Sequence, residues 1–290
     1  MIDPVPSPYL VPFDGSFRVD AAPTQPKERI KKKAAKEELA EVVARLDHLQ
    51  ELLYADDRYS LLLVFQAMDA AGKDSTIRAV LTGINPAGCQ VYGFKRPSLE
   101  EYDHDFLWRT AMRLPERGRV GVFNRSYYES VLTVRVHPEL LRSEKLPPFR
   151  KHEDLWEERY ASIRDHERHL ARNGTMVLKF WLNVSKDEQR RRFLKRLEDP
   201  AKNWKFSAGD LDVRAEWGQY MAAYEVALNE TSRRWAPWYA IPADDKPTMR
   251  LRVAQIVAQT LEQLDLHFPS LSPEDQASLG EYQRRLEGGE

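Results

Sequence analysis

"AMDAAGKDST", residues 67–76, lies between an apolar run, "SLLLVFQ" (60–66), and a helix-like segment, "STIRAVLTGI" (75–84). A phosphate-binding loop normally reads G-x-x-x-x-G-K-[ST]. Here Ala67 stands at the first glycine and Asp74 takes the place of the hydroxyl. The context is nevertheless the one such a loop requires, because a buried parallel strand reads as an unbroken apolar run and the loop must open a helix. Gly72 lets the backbone approach an anion, Lys73 supplies full charge, and the amides of Ala70, Ala71, Asp74 and Ser75 complete a phosphate cradle at a helix N-terminus. Asp69 is the odd member: a carboxylate among phosphate-binding amides is repulsive unless a divalent cation lies between them. It is therefore a candidate Mg²⁺ ligand, with an ordinary loop turn as the alternative.

Working outward, "RVGVFN" (119–124) and "GTMVLKFWLNVS" (174–185) read as strands, and "VYGF" (91–94) and "WYAIPA" (238–243) as weaker ones. Helical patterns alternate with them. The expected fold class is α/β: a mostly parallel sheet flanked by helices in three layers. Residues 28–55 carry leucines and valines at three- and four-residue spacing, which predicts a helix with one packed stripe, and a last helix is expected over 246–266. The proline-rich residues 1–27 are expected to form an extended arm, on the body or disordered, before a single domain over 28–268; the polar residues 269–290 would be a tail, expected to be mobile.

The chain has 290 residues, 42% hydrophobic and 31% charged, with a net charge of -1. That supports a large core and argues against bulk nucleic-acid or membrane-surface binding. No apolar run is long enough to span a bilayer and the start lacks a secretory layout, so a cytoplasmic setting is expected. The single cysteine, Cys89, is expected as a small buried hydrophobe.

Two further stretches carry candidate chemistry. "VFNRSYYES" (122–130) follows a strand, where open α/β sheets place ligand groups. It offers Asn124 and Glu129 as ligands and Arg125 as a cation for phosphate; Ser126 capping a helix with both tyrosines in the core is the compatible structural alternative. "RRRFLKRLEDPAKNWKFSAGD" (190–210) puts Arg192 and Arg196 on one helix face, with Lys202 and Lys205 beyond. Phosphoryl transfer needs such equipment, since it depends on positioning and charge neutralisation; a solvated basic helix is the alternative. "HERH" (166–169) lacks zinc spacing, and the aromatic residues around 217–239 are expected to pack the core.

Together, "QAMDAAGKDSTI", "FNRSYYESVLTVRV", "QRRRFLKRLEDPAKNWKFSAGD" and "APWYAIPADDK" resemble the second family of polyphosphate kinases, which has a thymidylate-kinase-like P-loop core. The similarity runs from about residue 28 to 266. The resemblance implies a polyphosphate:nucleotide phosphotransferase acting with Mg²⁺ on polyphosphate and AMP, ADP or ATP, with a homo-oligomer expected. It implies that Asp69 and Lys73 handle polyphosphate and metal, that Arg125, Arg135, Arg192, Arg196 and Lys205 meet phosphates, and that Asp210 and Lys246 lie in motif segments. Asn124, Tyr128 and Glu129 are assigned to the nucleotide, Glu129 also to metal, and residues 130–170 to a mobile helical lid. Many members read D-R-S-W-Y-N-R where this chain reads N-R-S-Y-Y-E-S, a variant that resembles the subgroup using both nucleoside mono- and diphosphates. An ATP-dependent nucleotide kinase on the same core and a polyphosphate-binding module with a dead site remain as alternatives.

Overall fold

The structure is a computed structural model that describes residues 2–147 and 152–288. Five strands form one parallel sheet in the order β2-β3-β1-β4-β5. They are β1 (Ser60–Gln66), β2 (Cys89–Gly93), β3 (Val120–Asn124), β4 (Thr175–Asn183) and β5 (Trp238–Pro242). Every residue of β1, β4 and β5 is buried, which is why these segments read as apolar runs without alternation. Cys89 lies half-buried at the start of β2, and burial pushes its thiol up to about 11.

Helices of eight or more residues are α1 (Lys32–Asp56), α2 (Lys73–Val80), α3 (His152–Arg172), α4 (Lys186–Glu198), α5 (Trp217–Thr231), α6 (Lys246–Glu262) and α7 (Pro273–Glu287). α6 packs along α1 and against α2, and α3 packs on α5, so the sheet is flanked by helices as expected for this α/β class. β1 lies in register with Asn124 of β3 and Trp181 of β4 at its carboxyl end. The connection from β1 leads toward β2 and β3, whereas β4 and β5 lie on its other side. That reversal opens a crevice at the carboxyl ends of these strands, where parallel sheets bind ligands. The phosphate-type loop empties into it.

The N-terminal arm lies on the body. Val11 donates its N–H to Trp238 O at 2.9 Å and Ala240 donates to Tyr9 O at 2.8 Å, so the arm pairs antiparallel with β5 and covers that sheet edge. Val5, Tyr9 and Val11 are buried there. At the other terminus the expected polar tail contains a helix, α7, because Ser272 caps Asp275 and Pro273 opens the first turn.

A polar network crosses the core where the sequence showed only a lysine inside an apolar strand. Lys179, fully buried on β4, donates to Glu167 Oε2 at 2.6 Å, Tyr128 Oη at 2.9 Å and Thr231 O at 2.8 Å. Tyr127 and Tyr128 donate to Glu167 Oε1 at 2.9 and 2.8 Å. All three ammonium hydrogens have acceptors, which is the condition for burying such a charge. The network ties the second half of α3 to the body. The stretch assigned to a lid therefore differs along its length: short helical turns at Tyr127–Val131, Thr133–Val136 and Pro138–Glu144 lead toward α3, and residues 148–151 lie outside the described residues. Among the described residues no helix is long and apolar enough to cross a membrane.

Candidate active site

The loop after β1 is bent by local conformation. Gly72 has φ +111°, and a Cβ there would meet only ordinary contacts at 3.4–3.6 Å, so the backbone angle rather than crowding demands glycine. Ala70 adopts φ +60° and Arg125 φ +66°, two strained non-glycine residues facing the same crevice. Arg125 is held by its N–H on Phe65 O at 3.0 Å. Lys73 opens α2, is only 9% exposed, and donates to Ala67 O at 2.7 Å. Burial lowers its pKa, helped by Arg125, while Asp69, Glu129 and Asp74 oppose that shift.

Around Lys73 the expected charges converge. Arg125 reaches Asp69 Oδ1 at 3.0 Å and Glu129 Oε2 at 3.5 Å, bridging the two carboxylates. Glu129 also accepts from Gln66 Nε2 at 2.9 Å and Thr133 Oγ1 at 2.8 Å. Glu129 and, after it, Asp69 hold the Arg125 guanidinium above its ordinary range against the opposing effect of burial. Asn124 donates to Asp74 Oδ1 at 2.8 Å, so the amide at the end of β3 partners the acid that replaced the loop hydroxyl. Ser75 Oγ and Thr76 Oγ1 both donate to Gly72 O at 3.0 Å and brace the first turn. Asp210 lies at the rim beside Arg196, 3.7 Å away; its pKa is raised by burial and, further, by the charge of Asp69.

Two assignments change, those of Tyr128 and Arg192. Tyr128 was expected at the nucleotide, but it is fully buried with its hydroxyl held by Glu167 and Lys179. Arg192 was expected on phosphate; in this structure its five N–H groups meet five acceptors. It donates to Ala70 O, Ala71 O, Ala243 O and Asp244 O at 2.6–3.1 Å and to Glu188 Oε1 at 2.7 Å, fastening the loop to the end of β5. Arg135 is engaged with Tyr160 Oη at 3.1 Å and stacks over Trp156. Lys205 is exposed, beside the Trp204 ring, and Arg196 reaches its carbonyl at 3.4 Å.

Gln189 and Gln66 at the loop were missed, and Lys246 was named only as part of a motif segment. Gln189 donates to Asp69 O at 3.0 Å, three residues before Arg192 on the same face of α4. Gln66 is a polar residue ending a strand otherwise apolar after its first residue, a signal the sequence did carry. Lys246 starts α6 with its Cε 3.6 Å from where a Gly72 Cβ would stand; burial, followed by Arg192 and Arg250, pushes its pKa down to about 8.

Among the described residues no group of three or more His, Cys, Asp or Glu could enclose a metal. Mg²⁺ commonly needs only one or two carboxylates when substrate phosphates and water complete its octahedron, and Asp69 and Glu129 supply such oxygens on either side of Arg125. The residues fit a cation shared with substrate and do not form a protein cage.

A P-loop-like cradle with a buried lysine, at the switch point of a parallel sheet and facing an arginine between two carboxylates, defines a phosphotransferase. The family described as Polyphosphate kinase 2 matches residues 29–269. An ADP-polyphosphate phosphotransferase of Rhodopseudomonas palustris is 57% identical over 245 residues, 84% of this chain and 85% of that protein. An AMP/ADP-polyphosphate phosphotransferase of Meiothermus ruber is 46% identical over 264 residues, 90% and 94% of the two chains. The crystal structure of polyphosphate kinase 2 from Arthrobacter aurescens TC1 superposes with a TM-score of 0.83 at 40% identity, covering 92% of this chain and 93% of that one. The chain belongs to the polyphosphate kinase 2 family, enzymes that transfer phosphate between polyphosphate and nucleotides. That membership favours polyphosphate over ATP as the donor for this core.

Proposed function

We propose that this chain moves the terminal phosphoryl group of inorganic polyphosphate to ADP and to AMP, reversibly, with Mg²⁺, as a cytoplasmic homo-oligomer. The observation that carries the acceptor range is Glu129, which stands 3.5 Å from Arg125 and is fixed by Gln66 and Thr133. Relatives named for ADP and for AMP/ADP both support the adenine nucleotide class.

In this reading an acceptor phosphate oxygen attacks the terminal phosphorus in line, its bond forming as the bond to the bridging oxygen breaks and the shortened chain leaves. Lys73 and the loop amides hold the donor phosphate and neutralise charge growing on the leaving oxygen. Arg125, released from its two carboxylates by incoming phosphates, spans donor and acceptor. Arg192 and Gln189 fix the loop carbonyls, so the amides on the opposite side of each peptide keep their aim. Glu129 positions the acceptor; a strong base is unnecessary because that phosphate is already ionised near neutral pH. Mg²⁺, held by Asp69 with Glu129 nearby, would supply further charge neutralisation when bound.

The test is incubation of purified protein with Mg²⁺ and polyphosphate, with AMP or with ADP, followed by chromatography of the nucleotides. ADP and then ATP from AMP is the expected outcome. ATP from ADP alone would withdraw the role given to Glu129, and no product with polyphosphate but product with ATP as donor would overturn the reading.

A further inference from the structure

A short helix, Gly209–Ala215, lies against α4 near both of its ends. Asp210 meets Arg196 at one end, 3.7 Å away, and Arg214 meets the first turns at the other. Arg214 spends both hydrogens of one nitrogen there: Nη1 donates to Lys186 O at 2.7 Å and to Gln189 Oε1 at 2.9 Å. Gln189 is 0% exposed, and its Nε2 donates to Asp69 O at 3.0 Å.

A side-chain amide has nearly the same shape either way round, so its neighbours decide which end is oxygen. Here the choice is forced, because a guanidinium only donates and a peptide carbonyl only accepts. With Arg214 on one side and Asp69 O on the other, one orientation of Gln189 makes both bonds and the reverse makes neither. The charge of Arg214 also polarises the amide, which strengthens the bond that Nε2 donates.

That bond holds a peptide inside the loop. In a trans peptide the N–H points opposite to the C=O, so an Asp69 carbonyl fastened to α4 turns the N–H of Ala70 away from α4. This N–H has no acceptor among the described residues. Ala70 carries φ +60°, a conformation that a residue with a Cβ keeps only where its surroundings impose it. Gln189 imposes it from the peptide before Ala70, and Arg192 from the peptide after, through Ala70 O at 3.1 Å. Arg192 brings its own charge to that task, whereas Gln189 is neutral and takes its aim from Arg214.

We propose that Arg214 is a positioning residue for phosphoryl transfer: it locks the Gln189 amide, which holds the Asp69 carbonyl and so keeps the strained Ala70 N–H aimed at the donor phosphate. This role rests on the proposed function, in which the loop cradles the polyphosphate donor.

The test is a double-mutant cycle on the full chain, with Arg214→Met, Gln189→Met and the two together. The readouts are kcat and KM for polyphosphate and for ADP, polyphosphate affinity by titration calorimetry without nucleotide, and melting temperature. Each single variant should lower kcat/KM for polyphosphate about tenfold and weaken polyphosphate binding, while the KM for ADP stays within about twofold of wild type. The double variant should be no worse than the poorer single one, because both substitutions cut the same connection. Arg214→Lys keeps a group that only donates and should lose less than about threefold. An Arg214→Met that keeps kcat/KM and polyphosphate affinity, however its melting temperature moves, would overturn the proposal, and so would losses that multiply in the double variant. A wild type that uses ATP and not polyphosphate would overturn the donor reading instead, and the same cycle run with ATP would still decide whether Arg214 acts through Gln189.

Discussion

Two buried lysines divide the molecule into regions with opposite uses of the same chemistry. Lys179 is 0% exposed and gives all three hydrogens to Glu167, Tyr128 and a carbonyl. Lys73 is nearly as buried, yet it makes one hydrogen bond, to Ala67 O, beside an arginine and within the influence of three acids. A saturated cation serves the fold. A lysine with spare donors, whose burial is opposed by acids across a crevice, is held ready for an anion. What separates structure from site is the number of donors left over, since burial and residue type are shared.

The largest effect should break the saturated region. Lys179→Met leaves Glu167 buried without its cation and should cost about 3–5 kcal/mol, lowering the melting temperature by roughly 10 °C. Calorimetry checks this, and adding Glu167→Leu should restore much of the loss. An unchanged melting temperature would erase the contrast between the lysines. Lys73→Ala should show the converse, kcat falling by about 10² to 10³ with melting moved by only a few degrees; a loss under about tenfold would mean that the loop has been misassigned. Arg192→Lys belongs to both regions, because it fastens the catalytic loop through buried carbonyls. It should lower kcat/KM by roughly ten- to a hundredfold and the melting temperature measurably, as a planar five-donor brace becomes a three-donor point charge. Glu129→Asn should change the ratio of kcat/KM for AMP and ADP, and equal ratios in mutant and wild type would remove its role as a selector.

The smallest effect is a pH dependence from Lys246. Its folded pKa, about 8, lies below the ordinary 10.5, so between those values the unfolded chain binds more protons. The burial cost of its charge is full below about pH 8 and is relieved as pH rises toward 10.5, where the folded protein should gain stability. Chemical denaturation at stepped pH should show this rise in the wild type and lose that part of it in Lys246→Met. Polyphosphate affinity should move the other way, weakening above pH 8 as the lysine sheds its proton.

The sequence made the phosphate region legible because strand, loop and helix are local and their order is read directly. β1 and the loop lie where they were expected, α2 runs over 73–80 rather than 75–84, and Asp69, Lys73, Arg125 and Glu129 do converge. The saturated region was invisible because its partners are scattered. Glu167 lay in a charged helix beside two histidines, Lys179 in an apolar strand, and Tyr128 in a motif whose neighbours face the crevice. Arg192 was read as a phosphate-binding cation, but residue type cannot tell whether its five donors meet a ligand or, as here, four carbonyls and the Glu188 carboxylate. α7 escaped notice because its composition is polar, although Ser272 and Pro273 mark its start.

The arm that covers β5 also sets an order in time. Tyr239 donates its hydroxyl to Val5 O across 234 positions of chain. At about 5–20 residues per second, a ribosome needs roughly 10 to 50 s between making the two. Throughout that interval the arm has no strand to lie on, and the edge it will seal does not yet exist. The sheet is therefore closed by a segment made well before the strand it covers, and a nascent chain halted before β5 carries its arm free, open to any protease that meets it.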